Sequence, residues 1–314
     1  MVDRQLWHFF LQPTLNTMKK FFLVFLISAS YLSASACEIC GCGLGNYYIG
    51  ILPHFDKRFF GLRYHFNSFQ TRLNDDPTQF SKDFYQTIEF WGGWNIGKRF
   101  QLLAFVPYNI NHQVSDEGTS DIKGLGDAAL MVNYKGFETT NKNISQQLWL
   151  GAGVKLPTGK FVIDTSNSDV AAIANTQVGS GSTDILLNGM YNVSINKLGI
   201  NTTVNYKINS ANKEKYKFGN KLTAGSFIYY VFPLNRVVIS PNVGLLYEHT
   251  EQSELLSSKI NLTGGKILQG SVGAEISFNG IAVGLSVQLP VAQNFAENQT
   301  KEKIKGMVHV SFAF

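Results

Sequence analysis

The chain has 314 residues, of which 44% are hydrophobic, 13% aromatic and only 16% charged, with a formal net charge of +5. Disordered chains combine high charge with low hydrophobicity, and multi-helix membrane proteins need several runs of about 20 apolar residues. A mean hydropathy of −0.03 with one short apolar run near the start fits neither class, and 8 Pro and 3 Cys exclude a low-complexity polymer or a disulfide scaffold.

Residues 1–36 have the layout of an export signal. Met18-Lys19-Lys20 is a basic start, Phe21 to Ile27 is an apolar centre, and Ala34-Ser35-Ala36 supplies the small residues a signal peptidase accepts. Met18 begins the better-formed signal, so residues 1–17 read as an upstream extension. Cleavage would leave Cys37 first; lipoprotein processing, which would acylate Cys37, is the alternative, although Ala34 stands where such signals usually have Leu. Arg4, Lys19, Lys20 and Asp3 leave with the signal, and the remaining positive excess is too small to argue for nucleic acid.

Residues 37–56 form a separate Cys-rich segment, expected in the periplasm or the lumen. Cys37, Cys40 and Cys42 have C-x-x-C-x-C spacing, and His54 follows. Thiolates this close can hold a soft metal such as Cu(I) or Zn(II). An oxidising compartment favours a small disulfide instead, and acylation of Cys37 would make the segment a lipid anchor. Gly41 stands where a haem-attachment sequence needs His. No other cofactor is expected. The apolar stretch from Gly43 to Pro53 suits a plug, a latch, or packing at the periplasmic mouth.

From residue 57 the chain alternates with period two, which no helix produces. In 100–110 the even positions Phe100, Leu102, Ala104, Val106, Tyr108 and Ile110 are apolar, while the odd ones include Gln101 and Asn109. Runs of this kind lie at 57–72, 83–97, 99–115, 125–140, 146–161, 183–196, 198–210, 218–233, 236–250, 265–279, 281–294 and 302–314. Short turns such as Asn279-Gly280 alternate with long polar loops near 73–82, 116–124, 162–182, 211–217, 251–264 and 295–301. An even number of strands with this alternation predicts an all-β, transmembrane antiparallel barrel of about 12 strands over 57–314, with both termini periplasmic. The terminal strand ending at Phe314 resembles the signal by which the barrel-assembly machinery recognises its clients.

Charge placement separates a barrel from a soluble sandwich. Arg63, Glu89, Asp127, Lys135, Lys155, Lys207, Glu275 and Lys305 all fall on the less apolar parity, expected to face a lumen. On the lipid face a Lys or Arg at mid-depth would cost roughly 2–4 kcal/mol. Trp91, Trp94, Tyr134, Tyr229, Tyr230 and Phe232 gather near strand ends, as an interfacial girdle would. Trp91 and Tyr229 also lie on the inward parity, with Tyr85 and Phe227.

Gly124-Leu125-Gly126-Asp127 opens one strand, and Gly151-Ala152-Gly153-Val154-Lys155-Leu156-Pro157-Thr158-Gly159 ends the next, with Pro107-Tyr108 upstream. These motifs resemble the outer-membrane family named for the meta-pathway of phenol degradation. The match spans residues 107–159, and the barrel layout extends it weakly. The resemblance implies a channel-like protein of the cell outer membrane, linked in some members to uptake of aromatic or other hydrophobic compounds. On the residues alone, Pro157-Thr158-Gly159 reads equally as a strand-ending turn that sets loop geometry. Asp127, Lys135 and Lys155 read either as a constriction or as salt bridges that fill the lumen.

Enzyme signatures are missing from the sequence. His309-Val310-Ser311 has the spacing of some barrel lipases, but on the lumenal parity and at the periplasmic end. The expected function is a non-enzymatic channel or transporter for small hydrophobic or aromatic compounds, with membrane lipid and its cargo as partners. The alternative is a closed-lumen binding or scaffold protein whose Cys segment handles a metal ion.

Overall fold

The structure is a computed structural model that describes residues 57–74, 78–116, 118–163 and 170–314. The export signal, Cys37, Cys40, Cys42 and His54 lie outside these residues. Seventeen strands occur among them: β1 (Phe59–Arg72), β2 (Phe80–Ile96), β3 (Phe100–Ser115), β4 (Gly118–Leu125), β5 (Ala129–Asn141), β6 (Ile144–Lys155), β7 (Asp184–Ile195), β8 (Leu198–Ile208), β9 (Tyr216–Lys217), β10 (Lys221–Tyr230), β11 (Phe232–Leu234), β12 (Val237–Thr250), β13 (Glu254–Leu255), β14 (Ser258–Lys259), β15 (Gly265–Phe278), β16 (Ile281–Phe295) and β17 (Thr300–Ala313). One short helix, α1 (Val170–Thr176), lies between β6 and β7.

Twelve strands close a ring. Each pairs antiparallel with its neighbour in the order β1, β2, β3, β5, β6, β7, β8, β10, β12, β15, β16, β17, and β17 returns to β1. Closure removes every sheet edge from the wall. The hairpin at Asn279-Gly280 places both residues at positive φ, the geometry that matches strand twist in a two-residue turn.

The period-two alternation reappears as two faces. Phe60, Leu130, Val243, Val272 and Leu285 point outward and are exposed, while Phe59, Met131, Asn242, Ser271 and Ser286 point inward and are buried. The outer face is thus an apolar belt with no helix involved; no helix among the described residues is long and apolar enough to cross a membrane.

Four features depart from the sequence expectations. The run at 125–140 is broken at residues 126–128: β4 extends the β3 hairpin beyond the ring, so 118–125 is strand rather than loop, and β5 starts afresh at Ala129. The run at 146–161 stops at Lys155, because Pro157 has no N–H for the ladder. The segment expected as an outer loop at 162–182 carries α1, and its residues Val170, Ala171, Ala174, Asn175 and Thr176 are buried. Trp91 and Tyr229 leave the girdle: Trp91 is 3% exposed inside the ring, whereas Trp94 is 50% exposed outside it. Tyr229 turns in to bond Asn192.

The long connections converge at one end. Phe161, Val170, Ala174, Tyr216 and Phe218 form a small apolar core there, covered by Leu255 and Ile260. The three-stranded sheet β14-β13-β9 ties two of these connections together. An arginine at Val243, outward at the middle of β12, would face lipid and should cost about 2–4 kcal/mol. Folding into vesicles, followed by the heat-dependent gel shift of a barrel, would show this; an equal yield for Val243→Arg would contradict the outward assignment.

Candidate functional site

The interior begins with the glycines that make room for it. On the wall, rings lie over glycines of the paired strand: Phe59 over Gly93, Phe227 over Gly244 and Tyr229 over Gly199. A Cβ at any of these glycines would strike the ring. Gly284 has a different use, since the His309–Glu275 contact passes directly across it, from β17 to β15 over β16. That bond, Nε2 to Oε2 at 2.9 Å, is buried.

Every other predicted interior charge with a described contact is also paired. Arg63 donates from Nε to Glu89 Oε1 at 2.8 Å and lays its guanidinium 4.2 Å from the centre of the Trp91 ring. Phe105 lies beyond it at 5.3 Å. Lys305 and Lys221 both reach Glu248, each at 2.6 Å. Lys207 is buried toward the end with the long connections. Lys135 departs from the expected grouping with Asp127 and Lys155. It sits near the opposite, short-turn end, where it pairs with Glu138 at 2.9 Å and lies 5.0 Å from the Trp149 ring centre.

The quoted motif residues come together at the long-connection end. Lys155 Nζ lies 2.7 Å from Asp127 Oδ2 and 2.7 Å from Asp184 Oδ2, with all three side chains at most 4% exposed. Two carboxylates around one ammonium need further donors. Asp127 accepts the Gly159 and Ser180 N–H groups and the Ser180 hydroxyl; Asp184 accepts the Ser182 hydroxyl and the Ser210 N–H. Charge-assisted bonds of this kind are the strong ones. Thr158 completes the turn by donating to the Gly126 carbonyl and accepting the Ala128 N–H, both at 2.8 Å. Gly159 and Gly179 approach so closely that a Cβ on either would meet the other's backbone. Gly124 has only Val178 near it, Gly151 seats the Asn133 side chain, Gly153 lies against the β5 backbone, and Pro157 is exposed.

This latch directs the chain inward. Beyond Gly159 the segment returns along the inner face of β3, where Asn109 donates to the Val178 carbonyl and Asn111 to the Thr176 carbonyl, both at 2.8 Å. Residues 176–180 therefore occupy the mouth.

The lumen below is divided. One side, from β1 through β3 and β5 to β7, is filled by Phe59, Trp91, Leu103, Phe105, Met131 and Trp149, and Leu103 and Phe105 have no exposure at all. The facing side, from β8 through β17, carries Asn201, Asn242, Ser271, Ser286 and Gln288. Asp184, Ser180, Lys221, Glu248 and His309 are partners beyond the mid-strand charges that the sequence marks. The parity rule that placed Arg63 also places Asp184, Lys221, Glu248 and His309; only Ser180, outside any strand, had no such signal.

No known family and no curated protein matches the sequence. Among solved structures, the chain resembles the COG4313 outer membrane channel from Pseudomonas putida F1, with TM-score 0.62 at 13% identity over 86% of this chain and 100% of that one. It also aligns with the β domain of the Bordetella autotransporter BrkA (TM-score 0.46, 11% identity, 82% of this chain and 100% of that one). The NanC porin aligns at TM-score 0.41 and 8% identity, over 81% of this chain and 100% of that one. The first likeness shows the fold.

Lys155→Met should strand two buried carboxylates and cost roughly 3–5 kcal/mol. The triple change Asp127→Asn, Lys155→Met, Asp184→Asn removes the charges together and should recover most of that loss. The temperature at which the folded band disappears on a gel measures both; a triple variant no more stable than Lys155→Met would contradict the ion cluster.

Proposed function

We propose that the chain is a channel of the outer membrane for small uncharged compounds, apolar or aromatic in body, with both termini on the periplasmic side. The observation that carries this is the interior itself. Most of its charges are gathered into neutral or nearly neutral groups, Asp83 standing apart on β2 with Ser81 and Gln113 as its partners, and aromatic rings line the space between them. A pore for ions instead presents uncommitted charge to its axis. The fold likeness to an outer membrane channel agrees with this reading, as does the apolar outer belt. In this reading β17 is the strand offered to the assembly machinery, and lipid and cargo are the remaining partners.

A non-enzymatic role is supported by His309 and Ser311. Both are buried in the lumen, and His309 Nε2 is occupied by Glu275. The second reading, a filled barrel that binds or scaffolds without conducting, is favoured by the packed side around Leu103 and Phe105. Its metal-handling element, the Cys37 to Cys42 cluster with His54, lies outside the described residues.

The channel reading requires residues 176–180 to leave the mouth. Asn109→Leu with Asn111→Leu removes the side-chain bonds that hold this segment to β3. Liposomes carrying the double variant should take up a neutral aromatic solute several-fold faster than those carrying the wild type, with little change in ionic conductance across a planar bilayer. Zero flux of every solute tested through both proteins would sink the channel and leave the filled barrel.

A further inference from the structure

The polar side of the lumen has a chemistry that the paired charges do not explain. Reading across the wall, the register joins Asn201, Phe227, Gly244, Ser271, Gln288 and Lys305 in one continuous rung over β8, β10, β12, β15, β16 and β17. Three of these residues hold buried polar atoms with no hydrogen-bond partner among the described residues: Asn201 Nδ2, Ser271 Oγ and Gln288 Oε1. The next rung adds Asn242 Oδ1 and Ser286 Oγ. Native interiors rarely leave such atoms unbonded, and two of the five, Asn201 Nδ2 and Gln288 Oε1, belong to residues that line one cavity.

A cavity lies against this rung. Its volume is about 30 Å³, room for roughly two waters. Asn201 and Gln288 line it, Thr203 and Thr223 add hydroxyls, and Phe227 and Leu246 give it an apolar side. Asn201 is 1% exposed and Gln288 6%. Lys305 borders the cavity with its ammonium bound to Glu248. Beside them Glu302 accepts amide protons from Gln269 and Asn67. Lys207, buried and registered opposite Lys221, stands beside the same group, so three lysines and two glutamates gather there.

We infer that this cavity is a recognition site for small neutral solutes that carry a hydrogen-bond donor and acceptor beside an apolar group, primary amides being the simplest. The donor on Asn201 meets the solute's carbonyl, the acceptor on Gln288 takes its N–H, and the alkyl part lies on Phe227 and Leu246. An ion would compete with Lys305 and Glu248, which already engage each other. A hydrocarbon would leave both amides buried and unbonded, which disfavours it. The site deepens the channel reading by naming the chemistry its interior selects, and its transport role rests on that reading.

Acetamide is the probe. Purified wild-type protein in detergent should bind it saturably by ligand-observed NMR. Asn201→Leu with Gln288→Met keeps side-chain size while removing both amides, and should weaken binding at least tenfold. Its thermal stability should equal or exceed that of the wild type, separating lost binding from lost fold. Asn133→Leu, on the apolar side, should bind as the wild type does. Absence of saturable binding by the wild type, or undiminished binding by the double variant, would overturn the site. Acetamide uptake by liposomes then separates the two proposals. Binding without flux of any solute, through the wild type and the Asn109→Leu, Asn111→Leu variant alike, leaves the site standing and removes the channel, whereas flux that Asn201→Leu with Gln288→Met leaves unchanged keeps the channel and takes the site off its route.

Discussion

A closed antiparallel ladder assigns alternate residues of each strand to lipid and to its own interior, and in this interior most charged side chains are withdrawn from solvent. Most of what is distinctive inside the barrel follows from that confinement. Burying an ionised group without a partner costs many kcal/mol, so charges enter in company. Glu248 is shared by two lysines, Lys155 by two aspartates, and Arg63 is held by Glu89 and by the face of Trp91. The glycines are the complement of this demand. Gly284 exists as a gap in β16 through which His309 and Glu275 can touch.

Confinement also explains the lopsided filling. Twelve strands enclose more volume than one layer of inward side chains occupies, and large apolar residues on β1 to β7 take up one side of it. The amides and hydroxyls of β8 to β17 are left facing that apolar mass rather than one another. Any route through the barrel therefore runs off-centre, between an oily wall and a polar one. The latch at Lys155 adds the second element. It fixes the point where the chain leaves β6 and turns residues 176–180 over the entrance, so mouth and wall are joined by one buried ionic group.

Much of this was legible in the sequence because parity survives in every strand. Arg63, Glu89, Asp127, Lys155, Lys207 and Glu275 were placed inside by parity alone, and all are buried. The breaks were harder. Residues 118–125 carry polar side chains on both faces because β4 projects beyond the apolar belt, so alternation has nothing to mark. The α1 segment is too short for a helical period to stand out, and its inward course depends on Asn109 and Asn111, more than sixty residues away. Trp91 carries two conflicting signals, a place near a strand end that suits the girdle and a parity that points inward, and in the fold parity prevails. Lys135 shares its inward parity with Asp127, but Asp127 precedes β5 at the long-connection end whereas Lys135 lies within β5 toward the short-turn end.

The rings seated on glycines bear on how the strands find their alignment. A slip of one residue between neighbours exposes the wrong face and is rejected by lipid. A slip of two keeps the faces correct and would pass that filter. It would, however, move Phe59 from Gly93 to Trp91 or Asn95, and Phe227 from Gly244 to Asn242 or Leu246. Each ring would then collide with a side chain where it now finds none. The pairs act as keyed joints: they reject the even misalignments that a purely two-faced wall would accept.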